Sequence, residues 1–127
     1  MIDIYLACPY SDPDPAVRQQ RFEQVNAFAA KLMAEGLTVF SPISHAHSIA
    51  LAGDLPKGWD FWERYDREFL AVCETLVVLR LSGWAESKGI REEIQIAFGL
   101  RHHWRYAEPD VSARAVRNWF ECVKRRG

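Results

Sequence analysis

The chain has 127 residues, of which 49% are hydrophobic, 13% aromatic and 26% charged, and its formal net charge is −1. That length suits one hydrophobic core rather than several domains, and the composition excludes a disordered or disulfide-stapled chain. A charge so near zero gives no general attraction for a nucleic acid polymer or an anionic membrane. Cys8, Cys73 and Cys122 are odd in number, lack metal-type spacing and lie in apolar runs, as buried thiols of a reducing compartment do. No apolar stretch reaches the roughly 18 residues of a membrane span, and the opening MIDIYLACPY carries Asp3 but no basic leader. A soluble, cytoplasmic domain covering residues 1–127 is expected.

Ile2 to Ala7 is short, apolar and ended by Pro9, which reads as a buried strand stopped by a turn. Asp14 before Pro15 is an acidic N-cap followed by a proline suited to the first helical position, so a helix should start there. Phe22, Val25, Ala29, Leu32 and Met33 recur at helical spacing, and Gly36 supplies a left-handed stop. Leu37 to Phe40 reads as a second strand, closed by Ser41-Pro42, and Ile43 to Gly58 as a long loop of the kind that covers a site. Asp60 to Cys73 is predicted as a helix with an inward stripe of Trp62, Tyr65, Phe69 and Cys73, on which Asp66 also falls. Thr75 to Leu81 is a third strand; after the polar turn Ser82 to Lys88 come a helix from Gly89 to Gly99 and a weak strand at Trp104 to Ala107. The last helix, Asp110 to Arg126, is expected to bury Val116, Trp119, Phe120 and Val123. Residues 101–127 hold seven Lys/Arg against three Asp/Glu, a basic end that suits either a solvated helix terminus or a docked partner.

Strands alternating with helices imply βαβ units. The expected fold is α/β, a single-domain three-layer sandwich of Rossmann-like or flavodoxin-like type, with a mostly parallel sheet of four or five strands. Ligands of such sheets lie beyond the carboxyl ends of the strands, which directs attention to Tyr5–Ser11, Ser41–His47 and Ser82–Glu93.

Phosphate and nucleophile motifs are missing: the sequence has no G-x-G-x-x-G, no Walker loop and no G-x-S-x-G elbow. His45-x-His47 lacks a third ligand at fixed spacing, so loop histidines capping backbone groups outweigh a metal site, and His102-His103 reads as structural at a helix end. The carboxylates say more. Around the helix after the third strand, Ile90, Ile94, Ala97 and Phe98 form the buried stripe; Glu93 lies at its edge and Glu92 points away. Glu93 is therefore either an acid facing the cleft or a solvated surface glutamate. Asp66, flanked by Trp62 and Phe69, must find a partner such as Arg80 or a backbone amide, or stay protonated. Two inward acids beside the phenol of Tyr5 suit displacement at a sugar carbon.

Tyr5-Leu6-Ala7-x-Pro9, Tyr65-Asp66-x-x-x-Leu70 and Gly89-Ile90-Arg91-Glu92-Glu93-Ile94-x-x-Ala97 together resemble the nucleoside 2-deoxyribosyltransferase superfamily, which includes deoxynucleotide N-hydrolases. The resemblance implies a flavodoxin-like fold and cleavage of the bond between a base and a (deoxy)ribose, without metal or redox cofactor. By position, Glu93 matches the family's nucleophile, Asp66 the acid that contacts the base or assists its departure, and Tyr5 the tyrosine that orients the nucleophile. Transferases of the superfamily usually carry an acid where this chain has Ser87. The hydrolase branch is similar at this point, with a serine that binds a 5′-phosphate. Lys88, Arg91 and the helix N-terminus behind Gly89 add positive potential there, Ser11 could share the task, and Ser87 could equally be a helix cap. His45 is a further candidate substrate contact from its loop, and Trp59 to Trp62 could stack on a base. The expected partner is a small nucleoside or nucleotide. The resemblance further implies a homodimer or homotetramer whose neighbour completes the pocket, for which Asn118 or the Arg-rich end are candidates. A nucleotide-binding module without chemistry, and an interaction protein using its basic terminal helix, are the alternatives.

Overall fold

Residues 1–126 are described by a computed structural model. A four-stranded, all-parallel sheet runs in the order β2-β1-β3-β4, formed by β1 (Ile2–Ala7), β2 (Val39–Phe40), β3 (Cys73–Leu79) and β4 (His103–Ala107). The five helices are α1 (Pro15–Ala34), α2 (Pro42–Gly53), α3 (Trp59–Ala71), α4 (Lys88–Gly99) and α5 (Ala113–Arg126). The architecture is the three-layer, flavodoxin-like sandwich that the alternating pattern predicts.

Strand alternation builds the layers. Ile4 and Leu6 of β1 with Val77 and Leu79 of β3 face one core, which Val25, Phe28 and Leu32 of α1 and Val116 and Phe120 of α5 complete. Tyr5, Ala7, Leu76 and Val78 face the opposite core, closed by Leu70 of α3 and Ile90 and Ala97 of α4. Both faces of β1 and β3 are covered, which is why these strands read as nearly unbroken apolar runs. Register sets Tyr5 between Phe40 of β2 and Leu76 of β3, so its ring lies at the middle of the sheet. The chain leaves β1 for β2 on one side and returns past it to β3 on the other, so strand order reverses around β1, where ligands of open α/β sheets bind.

Local chemistry fixes the helix ends. Asp14 Oδ1 accepts from Ala16 N–H at 2.9 Å with Pro15 at the first helical position, and Gly36, at φ +93°, closes α1 with Leu37 N–H reaching Leu32 O. Ser87 caps α4 by accepting from Ile90 N–H at 3.2 Å.

Several expectations are corrected. The long loop is largely a helix: Ser41 Oγ accepts from Ser44 N–H at 3.1 Å and Pro42 takes the first position, so Ser41-Pro42 opens α2 rather than merely closing a strand. The third strand spans Cys73–Leu79 rather than Thr75 to Leu81, because Ile2 pairs with Cys73. β4 is a full partner of β3, and α5 begins at Ala113 rather than Asp110. Met33, Tyr65 and Phe98, placed on inward stripes by spacing, are 51%, 46% and 78% exposed. Met33 and Phe98 follow Leu32 and Ala97, which already face the core, and Tyr65 packs against Phe61 and Trp62 of its own helix. Among the described residues no helix is long and apolar enough to cross a membrane.

Candidate active site

A cavity of about 590 Å³ opens at the carboxyl ends of β1 and β3, within the size range of small-molecule sites. Its walls come from the β1–α1 turn, α2, the start of α3, the segment before α4 and the first turns of α4.

Of the three residues singled out from sequence, Glu93 and Asp66 line the cavity, while Tyr5 lies in the core behind Glu93. Tyr5 is fully buried, and its hydroxyl donates to Glu93 Oε2 at 2.5 Å. Glu93, one turn into α4, is 4% exposed and lines the cavity, as does the half-buried Asp66 of α3. A β-carbon on Gly89 would stand 4.0 Å from Glu93 Oε1, so the bare glycine leaves the approach to that second oxygen open.

Burial dominates the electrostatics. It pushes the Glu93 carboxyl up to about 8; the charge of Asp66 adds to the rise and the Tyr5 hydrogen bond opposes it. Burial likewise raises Asp66 to about 7 against the same hydroxyl. Tyr5 itself is held well above the ordinary phenol range by burial and then by the two acids, so it is a donor and not a base. The acids titrate as a pair near neutrality. Cys8, at the end of β1, also lines the cavity; burial, reinforced by Glu93, drives its thiol far above the usual range although Arg21 pulls the other way.

Of the remaining candidates, Ser11, Ser87 and Gly89 line the cavity and His45 and Arg91 do not. Ser11 Oγ donates to Lys57 O at 2.9 Å, tying the β1–α1 turn to the segment before α3. Arg91 is exposed on the outer side of α4. His45 is exposed and rests on the rings of Phe40 and Phe69, each with centroids 5.7 Å away, because α2 turns successive odd positions about 200° apart. It is His47, 3% exposed and stacked on Phe22, that reaches the cavity. The two imidazoles therefore do not converge, and no cluster of three or more His, Cys, Asp or Glu suited to a metal occurs among the described residues. Arg80 does not pair with Asp66: it pairs with Glu108 and packs over Trp84 and Tyr106.

Arg21 was not legible as a site residue. Projecting from α1, its Nη1 donates to Tyr10 O at 3.2 Å and Ser11 O at 3.1 Å, and its Nη2 to Ser82 O at 2.9 Å. One guanidinium thus clamps the turns that follow β1 and β3, using the planar fork lysine lacks. Trp59 and Trp62 line the mouth, and Trp62 Nε1 donates to Pro56 O at 2.7 Å. At the N-terminus of α4, Lys88 lies 3.6 Å from Asp60, with both side chains mostly in solvent.

Comparison with curated proteins finds no match to this sequence. A protein-family model does match, over residues 2–105, a span that takes in α1 to α4, β1 to β3 and the Tyr5, Asp66 and Glu93 cluster. By that match the chain belongs to the family described as a domain of unknown function, DUF1937.

Proposed function

We propose that this protein breaks the N-glycosidic bond of a nucleoside or nucleoside 5′-monophosphate, with Glu93 as the nucleophile. The observation that carries the reading is the 2.5 Å hydrogen bond from the buried Tyr5 to Oε2 of Glu93, a carboxylate that lines the cavity together with Asp66. Tyr5 holds one carboxylate oxygen and leaves Oε1, on the open side of Gly89, for attack. The resemblance to the nucleoside 2-deoxyribosyltransferase superfamily points to the same chemistry.

The pair of acids supplies the required protons. Burial raises Glu93 to about 8 and Asp66 to about 7, so a single proton on the pair rests mainly on Glu93, and the reacting form is the less populated one, with Glu93 ionised and Asp66 neutral. Glu93 Oε1 attacks the anomeric carbon, the bond to the base nitrogen breaks with its electron pair, and that nitrogen takes the Asp66 proton. The glycosyl ester is then resolved by water, whose proton returns to Asp66 as its oxygen bonds the anomeric carbon and frees the Glu93 carboxylate. An incoming base in place of water gives transfer. Hydrolysis is the favoured outcome, since Ser87 stands where the transferases carry an acid. Ser87 lines the cavity at the N-terminus of α4, and its hydroxyl proton is free to meet a 5′-phosphate while its oxygen caps the helix. Trp59 and Trp62 offer faces for a base.

The test is incubation with a panel of nucleosides and monophosphates, scored for free base by chromatography. Release that disappears in Glu93→Ala with the fold intact is the expected result, and undiminished release in that variant would defeat the mechanism. A second reading, a nucleotide-binding module, draws on the high Glu93 pKa, which keeps the isolated acid mostly protonated at neutral pH. Tight calorimetric binding with no base released by the wild-type chain selects it.

A further inference from the structure

A second hydrogen-bond chain runs along the cavity wall formed by α1, α2 and the β1–α1 turn, and its direction can be read from its outer end. Gln19 Nε2 donates to Glu23 Oε1 at 3.3 Å. A carboxylate only accepts, so the amide turns its oxygen the other way, and Gln19 Oε1 lies 2.9 Å from His47 Nε2. An amide oxygen also only accepts, so the Nε2 of His47 carries the proton. The ring is 3% exposed and stacked on Phe22 with centroids 4.3 Å apart; burial, then the charges of Arg18 and Lys57, pull its pKa down, so it is neutral and Nδ1 is bare. The Tyr10 hydroxyl, 2.6 Å from Nδ1, is then the donor of that contact.

With its proton committed to His47, the Tyr10 oxygen has only acceptor capacity left. Arg18, whose guanidinium lowers the Tyr10 pKa against burial, donates to Asp12 O. Tyr10 and His47 both line the cavity. We propose that Tyr10 is a specificity-determining residue: it accepts a hydrogen bond from the exocyclic amino group of a nucleobase and disfavours a base that lacks one. A carbonyl opposite Tyr10 would set two acceptors face to face, and a bare C–H would leave the tyrosine oxygen without its ligand partner. Tyr10 takes no part in bond breaking; it selects the ligand, and this selection rests on the reading of the cavity as a nucleoside site.

The experiment is calorimetric titration of the full chain carrying Glu93→Gln, which blocks turnover, with matched 5′-monophosphates: 2′-deoxyadenosine against purine 2′-deoxyriboside, and 2′-deoxycytidine against the 2-pyrimidinone deoxyriboside. In at least one pair the amino-bearing member should bind about tenfold more tightly. Adding Tyr10→Phe, which keeps the ring, should bring it down to the level of its partner while the partner's affinity stays the same. Gln19→Leu, at an exposed position, removes the acceptor that fixes the His47 proton and should shrink the preference without touching the ligand; it gives the answer even if Tyr10→Phe unfolds. Equal affinity within both pairs, binding of no member, or an amino advantage that survives Tyr10→Phe overturns the proposal. Base release by the wild-type chain reports separately on the chemistry. Release without an amino preference keeps the glycosidic reading and removes Tyr10's role, and preference without release does the reverse.

Discussion

A β-carbon on Gly83 would stand 2.5 Å from the Nη2 of Arg21. The far end of a long side chain usually yields to such a contact, but this one is held by carbonyls of Tyr10, Ser11 and Ser82. Gly83 also sits at φ +91°, where side chains are strained. Gly83→Ala should therefore cost about 1–3 kcal/mol and lower the melting temperature by several degrees. Combined with Arg21→Ala, the loss should fall short of the sum of the two single losses by at least about 0.5 kcal/mol, since the collision is gone and only the backbone strain remains. Strict additivity in thermal or urea unfolding would remove this account.

A buried acid and a half-buried one, both with raised pKa values, make stability depend on pH. The Glu93 carboxyl sits near 4.5 when unperturbed and about 8 in the fold. Between those values the folded state holds a proton that the unfolded state has released, so this group costs stability progressively as pH rises from about 4.5 to about 8. Glu93→Gln keeps the shape and removes the ionisation. Its urea midpoint should match the wild type near pH 4.5 and exceed it at pH 8, by an amount on the order of 1–3 kcal/mol. A difference that does not change between those pH values would refute the burial argument.

The same electrostatics predict opposite displacements of the rate profile in two variants. Losing the Tyr5 hydroxyl takes a hydrogen bond from the Glu93 carboxylate, so Tyr5→Phe should move the acidic limb of kcat/KM to higher pH. Asp66→Asn removes a neighbouring negative charge and should move that limb to lower pH, while loss of the proton donor lowers the rate roughly 10²–10⁴-fold. Both variants shifting the limb the same way would contradict the assignment of roles.

The sheet and the acid pair were legible because each depends on short-range pattern. β1 and β3 are covered on both faces, so their apolar runs stand out, and the period of α4 turned Glu93 inward and Glu92 away. α2 was hidden because Ser41-Pro42 ends one element and begins another, and the run after it, in which Ser and His are mixed with Ile, Ala and Leu, shows little helical stripe. Arg21 and the Gln19–His47–Tyr10 chain were out of reach for a different reason. The clamp joins residues 10 and 82, and the chain joins 10, 19 and 47, through tertiary contacts that no local spacing encodes. His45 was chosen over His47 because sequence gives no phase for a helix it does not reveal.

Cys8 gives the floor of the cavity a selectivity of its own. Sulfur is the softer and ordinarily quicker nucleophile, and here it lines the same space as the carboxylates. Kept as a neutral thiol by its surroundings, it cannot compete with the oxygen of Glu93 for an electrophilic carbon. On the proposed mechanism a sugar captured at this spot would be held through an ester that water can reopen, and not through the stable thioglycoside that an ionised Cys8 would form.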